Sequence, residues 1–531
     1  MAEIQSNRKN ILRGSFGAAL ATLMSRFLGL FRVIFEAQVL GGGALATAWQ
    51  LAFAIPNLFR RLFGEGALAQ ALIPLFAHTE AEKGLTEARK QLALILSFLT
   101  VLLIGISATV SLASVFIAQW AQTARTVDAM RILPLLMPYT VFICMVGVMT
   151  AIVNTRKVFF LASLNALILN IVQIALLLMI NLLKLTDKQH ILLLLATGVV
   201  VSGIMQFAML AWLLKKYGVF PIFRKGERQA GSILREIFTL ALPGLIGAGA
   251  SQISFLVDRI IALQVGDCAV PALNNTERLV YLPIGIVGVA LASVLMANMS
   301  SAAANKRYNE MLDDMTSGLR YVWFTCAPLA VYMIFLREPL IKLLFMRGNF
   351  TLEHVAETAY ALLFYAVGIP AFCAMKVILP AFYARKKMTP PLIISLCCIA
   401  VNIPLSLLLM HPLRQGGIAL ATVISQMLNN MLLLYMLKRE NFSPDYRSVA
   451  VTAVKTLIFA LTAALPLLYF PQAVMFLQKF MALKAAEITA LIAGSLLFAA
   501  IYWFLSLLFK MQEPSELYYS LIARQSRKKE V

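Results

Sequence analysis

Arg26, Arg32 and Glu36 fall inside one long apolar run of the sequence, and Arg60, Arg61 and Glu65 inside the next. Asp258–Arg259 and Glu277–Arg278 occupy two further runs. A charge held in hydrocarbon costs several kcal/mol unless it faces a cavity or a partner, so each of these positions is a candidate for function. A guanidinium stays charged when buried and presents a planar fork of N–H donors that fits phosphate oxygens two at a time. Arg26, Arg32, Arg60 and Arg278 therefore read as a binding set for a phosphate or pyrophosphate group, with Glu65 beside them. Arg32 and Glu36 are also i,i+4 neighbours, as are Arg61 and Glu65, so mutual neutralisation is the competing reading of those pairs. Arg61 and Arg259 are open to snorkelling or carbonyl bonding. Asp258 has no such helical partner, and Asn402 and Thr422 add neutral oxygens further along. Those three are candidate ion-coupling residues for Na⁺, or Asp258 alone for a proton. The alternative is that Asp258 pairs with Arg259 or backbone and carries nothing.

The elements that must position these side chains are membrane helices. The chain has 531 residues, 60% hydrophobic and 13% charged, with mean hydropathy +0.82, far from a soluble domain. Apolar runs of about 20 residues recur from end to end, each long enough to cross a bilayer as a helix. They lie at 15–40, 46–77, 91–119, 134–154, 158–183, 191–214, 236–265, 270–300, 320–346, 356–383, 390–410, 416–437, 449–470 and 485–509. The expected fold is an all-α polytopic membrane protein of about fourteen transmembrane helices, the first run being a retained helix rather than a cleaved signal.

Charge sets the orientation. With the N-terminus inside, Arg8, Lys9, Arg13, Lys83, Arg89, Lys90, Arg156 and Lys157 are cytoplasmic. So are Lys215, Lys216, Arg224, Lys306, Arg307, Arg385, Lys386, Lys438 and the basic tail around Arg524–Lys529. The outer side holds Arg125, Arg131, Lys184, Lys188, Arg347, Arg414, Lys479 and Lys484. That asymmetry places both termini on the cytoplasmic side of the membrane. The +21 net charge is thus spread over loops and forms no nucleic-acid surface.

The sequence also repeats. Gly66–Ala77 (GALAQALIPLFA) aligns with Val289–Ser300 (VALASVLMANMS), and TRKV from Thr155 aligns with ARKK from Ala384. Two pseudo-symmetric six-helix lobes follow, 1–220 and 221–440, with helices 13 and 14 and a polar cytoplasmic tail in 441–531. The charged runs are then the first two helices of each lobe, lining a cationic cavity. The six cysteines lack metal-ligand spacing and read as small buried hydrophobes. Gly41, Gly43 and Ala46 fit a dinucleotide fingerprint, but no strand precedes them, so they read as a turn. Short outer loops with few carboxylates or histidines argue against an enzyme.

SRFLGLFR (Ser25–Arg32), followed by IPNLFRRLFGEGALAQALIPLF (Ile55–Phe76), resembles the MurJ/MviN family of lipid II flippases, of the MOP exporter superfamily. NTRKVFF (Asn154–Phe160), SQISFLVD (Ser251–Asp258), ERLVYLPIGIVGVAL (Glu277–Leu291), LFMRGNFT (Leu344–Thr351) and LPAFYARKKMTPP (Leu379–Pro391) extend the likeness through both halves. The resemblance implies alternating access that carries an undecaprenyl-pyrophosphate-linked glycopeptide lipid outward, for peptidoglycan and cell-wall biogenesis. It implies cavity arginines at Arg26, Arg32, Arg60 and Arg278, and a prenyl-tail groove on helices 13 and 14. It further implies no cofactor, coupling to Na⁺, H⁺ or membrane potential, and membrane lipids and cell-wall synthesis proteins as partners. Val33, Thr47, Ala54, Lys386 and Lys387 depart from the family pattern. Competing readings are a flippase for another polyprenyl-pyrophosphate-linked glycan and a MATE-like drug exporter, the latter disfavoured because a cationic cavity repels cations.

Overall fold

Backbone N–H and C=O groups cannot stay unbonded in hydrocarbon, and the chain meets that condition with helix. The computed structural model describes residues 24–64, 67–223 and 230–515, and no strand occurs among them. Glu65, residues 15–23 of the first expected helix, the basic N-terminus, Arg224 and the tail after 515 lie outside the described residues.

The first helices are α1 (24–40), α2 (Ala44–Phe59), α3 (Ala67–Lys83), α4 (Leu85–Trp120), α5 (Ala124–Thr155), α6 (Phe159–Leu182), α7 (Lys188–Lys216) and α8 (Ala230–Val265). Then come α9 (Ala269–Pro283), α10 (Val289–Ala304), α11 (Tyr308–Phe335), α12 (Arg337–Phe345), α13 (Leu352–Val367) and α14 (Ile369–Ala384). The series closes with α15 (Thr389–Arg439), α16 (Tyr446–Ala464), α17 (Phe470–Leu477) and α18 (Leu483–Leu508). Over the described residues, the expected runs coincide with helix. Among the described residues, nine segments are long and apolar enough to cross a membrane. Their outer faces carry large apolar side chains, with Leu112, Phe116 and Trp120 of α4 and Leu496 and Phe504 of α18 all exposed. Such a surface suits lipid rather than water.

As one rod, the 51 residues of α15 would reach about 75 Å, far more than one bilayer crossing. The backbone instead reverses at Arg414 (φ 49°, ψ −136°). A Cβ on Gly417 would lie 2.0 Å from Leu409 O, so the two arms close against each other there. The expected boundary between helices 11 and 12 is this reversal.

Among the described residues, the α-helical ladder slips into a single π turn twice, at Arg60–Gly64 between α2 and α3 and at Ile284–Gly288 between α9 and α10. The turns occupy matching places in the repeat, each just before the aligned GALAQ and VALAS segments. A π turn inserts one extra residue and commonly marks a functional position.

The chain packs as two compact units, one running to Pro271 and including Arg347–Thr351, the other from Ala272 onward without those five residues. The repeat boundary at 220/221 and this packing boundary differ by α8. The reason is local: α8 packs on α2, α3 and α4. In the first unit α5 is central, packed by α2, α4 and α7 around Trp49, Leu136, Met137 and Tyr139. In the second, α11 packs with α10, α14 and α16. There Tyr502 Oη donates to Phe324 O at 2.7 Å, bringing α18 against α11.

Candidate functional site

Arg32 and Glu36, one turn apart on α1, are both buried and 3.2 Å apart. The guanidinium also lies over the Phe53 ring, 5.6 Å from its centroid. Even so, Arg32 Nε and Nη1 and Glu36 Oε1 have no hydrogen-bond partner: the pair sits at ion-pair distance without hydrogen-bond alignment. The i,i+4 pairing open from the sequence is therefore formed, and it leaves donors over. Arg26, half-buried, sits six residues before Arg32, about 120° around the helix. The two do not share a face.

Arg60 and Arg61 lie within the first π turn. Arg60 Nε donates to Asn57 Oδ1 at 2.9 Å, and Arg61 Nη1 donates to Gln252 Oε1 of α8 at 2.8 Å. Arg61 thus ties the turn to α8 rather than snorkelling. The turn seats tightly on α5, where a Cβ on Gly147 would lie 2.0 Å from Gly64 O. Only glycine allows that approach. Asp258, on α8, is buried.

Arg278 belongs to the second unit, on α9. Its neighbour Glu277 accepts from Tyr365 Oη of α13 at 3.2 Å, and Thr276 Oγ1 donates to Thr358 O at 3.1 Å. With one face of α9 fixed on α13, Arg278 points about 100° away from Glu277. Asn402 is buried on the first arm of α15; on the second, Thr422 Oγ1 donates to Ile418 O at 3.1 Å. Asp258 belongs to the first unit, these two to the second.

Three features escaped the sequence. Arg125 of α5 pairs with Asp267, just beyond α8, and its Nη2 donates to Leu263 O at 2.6 Å. Thr47, one of the departures from the family pattern, donates to Asp267 O at 2.6 Å, so the end of α8 is clasped to the starts of α2 and α5. Lys376 lies exposed on α14, within a crossing segment. Its signal was a lone lysine inside the apolar stretch AFCAMKVIL. The third is a buried carboxylate, Glu513, which accepts from Arg320 Nε at 2.8 Å and from Thr452 Oγ1 at 3.1 Å. Gly41 turns between α1 and α2 with φ 74°, and a Cβ there would lie 2.8 Å from Asn349 O, so the dinucleotide-like triplet is a turn.

The family model described as "Lipid II flippase MurJ" matches residues 36–487. A "Probable lipid II flippase MurJ" of Rhizobium meliloti (strain 1021) is 30% identical over 420 residues, covering 78% of this chain and 78% of the relative. A solved "Lipid II flippase MurJ, inward closed conformation" superposes with a TM-score of 0.75 at 21% identity, covering 92% of this chain and 98% of that one. An inward-facing multidrug resistance MATE family transporter of the MOP superfamily has the same fold, with a TM-score of 0.67 at 14% identity, over 82% and 98% of the two chains. Motif order and helix pattern agree with the match over most of the length, and the chain belongs to the lipid II flippase MurJ family.

Proposed function

We propose that this protein moves lipid II, a polyprenyl-pyrophosphate-linked glycopeptide, from the inner to the outer leaflet by alternating access, with Arg26, Arg32, Arg60 and Arg278 holding the pyrophosphate. The observation that carries the reading is Arg32: a buried guanidinium with Nε and Nη1 lacking acceptors. A buried donor left unmatched costs about 1–3 kcal/mol, and more when charged. A phosphate oxygen is the acceptor whose charge and geometry suit that fork. The membrane potential assists the direction, since moving an anion outward gains about 2.3 kcal/mol per charge per 100 mV.

Relatives named as lipid II flippases support the choice of substrate. The drug-exporter reading rests on the MATE-like fold and is opposed by the arginines, which repel cationic drugs. Asp258 is the coupling candidate for Na⁺ or H⁺, with Asn402 and Thr422, and α16 and α18 are the candidates for the prenyl tail. Both termini face the cytoplasm in this reading, and no chemical step is catalysed.

The test is reconstitution in proteoliposomes with lipid II on one leaflet. Arg32→Ala and Arg278→Ala lower flipping to background in protein that still inserts, and Arg32→Lys restores only part of it. Normal flipping by both Arg26→Ala and Arg278→Ala overturns the arginine site. In cells depleted of the protein, lipid II accumulates on the inner leaflet; accumulation on the outer leaflet overturns the direction.

A further inference from the structure

Lys376 differs from the arginines of the crossing helices in having nothing to hold its charge. Arg32 has Glu36 beside it, Arg60 has Asn57 and Arg61 has Gln252. Lys376, exposed on α14, makes no hydrogen bond or ion pair among the described residues. It lies within the apolar crossing Leu352–Ala384, nine residues before Arg385 of the basic loop, which is about 13 Å of helix. A four-carbon stem does not reach that far, so snorkelling does not relieve the charge. Its Cγ rests against the second π turn, 3.5 Å from where a Cβ on Gly288 would be. A charge facing hydrocarbon is costly, so the open side of Lys376 is a water-filled space.

Arg278 precedes Gly288 by ten residues on the same stretch of chain, in the same unit. Ten residues of helix cover about 15 Å, longer than a pyrophosphate. Lys376 therefore lies beyond the phosphates that Arg278 would hold, at the depth of whatever they carry. In a glycopeptide lipid that is the headgroup, and a peptide ends in a carboxylate. Each peptide residue spans up to about 3.5 Å, so a few of them bridge the separation. Lysine offers a compact point charge that suits a single carboxylate, whereas the arginine fork matches phosphate.

We propose that Lys376 is a second anion subsite, which binds a carboxylate of the peptide headgroup and so selects peptide-bearing lipids over neutral polyprenyl-pyrophosphate glycans. The choice of substrate rests on the flippase reading.

The experiment uses full-length protein and two probes: lipid II, and lipid II with its peptide carboxylates converted to neutral carboxamides. Binding is measured in detergent and flipping in proteoliposomes. The parent should bind lipid II about tenfold more tightly than the amidated lipid, the scale of one charge-assisted hydrogen bond. Lys376→Gln, eluting as the parent does, should erase that gap by weakening lipid II, and Lys376→Arg should keep most of it. In flipping, the gap should appear in KM rather than kcat. A parent blind to amidation, or a gap that survives in Lys376→Gln, overturns the subsite. So does equal weakening of both lipids, which would make Lys376 a pyrophosphate ligand or a packing residue. A parent that binds with the gap yet moves neither lipid overturns the flippase reading and leaves the subsite standing.

Discussion

The two π turns share a backbone and differ in what surrounds them. Arg60–Gly64 carries two arginines within the turn and meets α5 glycine to glycine, Gly64 on Gly147. Ile284–Gly288 is apolar and meets side chains of α14, Cys373 and Lys376. Equivalent positions of the repeat sharpen the contrast. Cys144 and Cys373 each precede the basic loop of their half by about three helical turns. Cys144 donates to Phe59 O at 3.4 Å, whereas Cys373 Sγ lies 3.5 Å from where a Cβ on Gly288 would be, against the second π turn. In those loops, Arg156 pairs with Glu80 of α3 at 2.7 Å, while Arg385 pairs with Glu440, at the end of α15. The repeat thus preserves where a helix breaks and where a cation sits, and leaves free what each touches. The first half uses the freedom to seat charge against backbone, the second to rest an apolar turn on side chains.

The contrast breaks most readily at the glycines. Gly147→Ala places a Cβ 2.0 Å from Gly64 O, a backbone atom that cannot step aside. It should cost at least about 1–3 kcal/mol, as overpacking does, and lower both the yield of monodisperse protein and its Tm. Gly288→Ala meets Cys373 Sγ at 3.5 Å, ordinary contact, and should leave Tm nearly unchanged. Equal losses in the two variants would erase the distinction between the turns.

Within the first turn, flipping assays should separate adjacent arginines. Arg60→Ala should fall to background, whereas Arg61→Ala, which removes the 2.8 Å bond to Gln252, should keep measurable activity with a lower Tm. The reverse order would move the binding role from Arg60 to Arg61.

The smallest effect concerns Glu440, which lies between α15 and α16. Burial pushes its carboxyl up, but hydrogen bonds from Lys387 and Arg385 outweigh it, and the net shift is below the ordinary 4.5. A carboxyl lowered in the folded state stabilises at pH above its unfolded value and loses that contribution as pH falls through the folded one. The Tm gap between the wild type and Glu440→Gln should therefore be constant near neutrality and close as pH falls below 4.5. A gap unchanged at low pH would show that Glu440 acts through packing rather than charge.

Much of the architecture was legible because hydrocarbon imposes a simple rule: an apolar run near 20 residues must be helix. Pro412, Gly416 and Gly417 advertised the reversal in α15. The arginines were legible for the opposite reason, as charges out of place, and the same logic applied to Lys376 would have found it. The π turns were not legible, since RRLFG and IGIVG have only a final glycine in common, and a glycine by itself does not force a ladder to slip. Nor was the packing of α8 with the first unit. It depends on Arg61 meeting Gln252 and Arg125 meeting Asp267, contacts between residues far apart in sequence.

The reversal in α15 bears on how the protein is made. Its turn, His411–Gln415, is short, and it is held to α13 by Arg414 Nη1 on Glu357 Oε1 at 2.8 Å. The arms on either side are apolar and close together at Gly417. A ribosome feeding this stretch into the insertion machinery delivers two crossings joined by almost nothing, and they should enter the bilayer as one hairpin. Glu357 is synthesised before that hairpin, so α13 is already waiting when Arg414 emerges, and the ion pair can anchor the tip as soon as the two side chains meet.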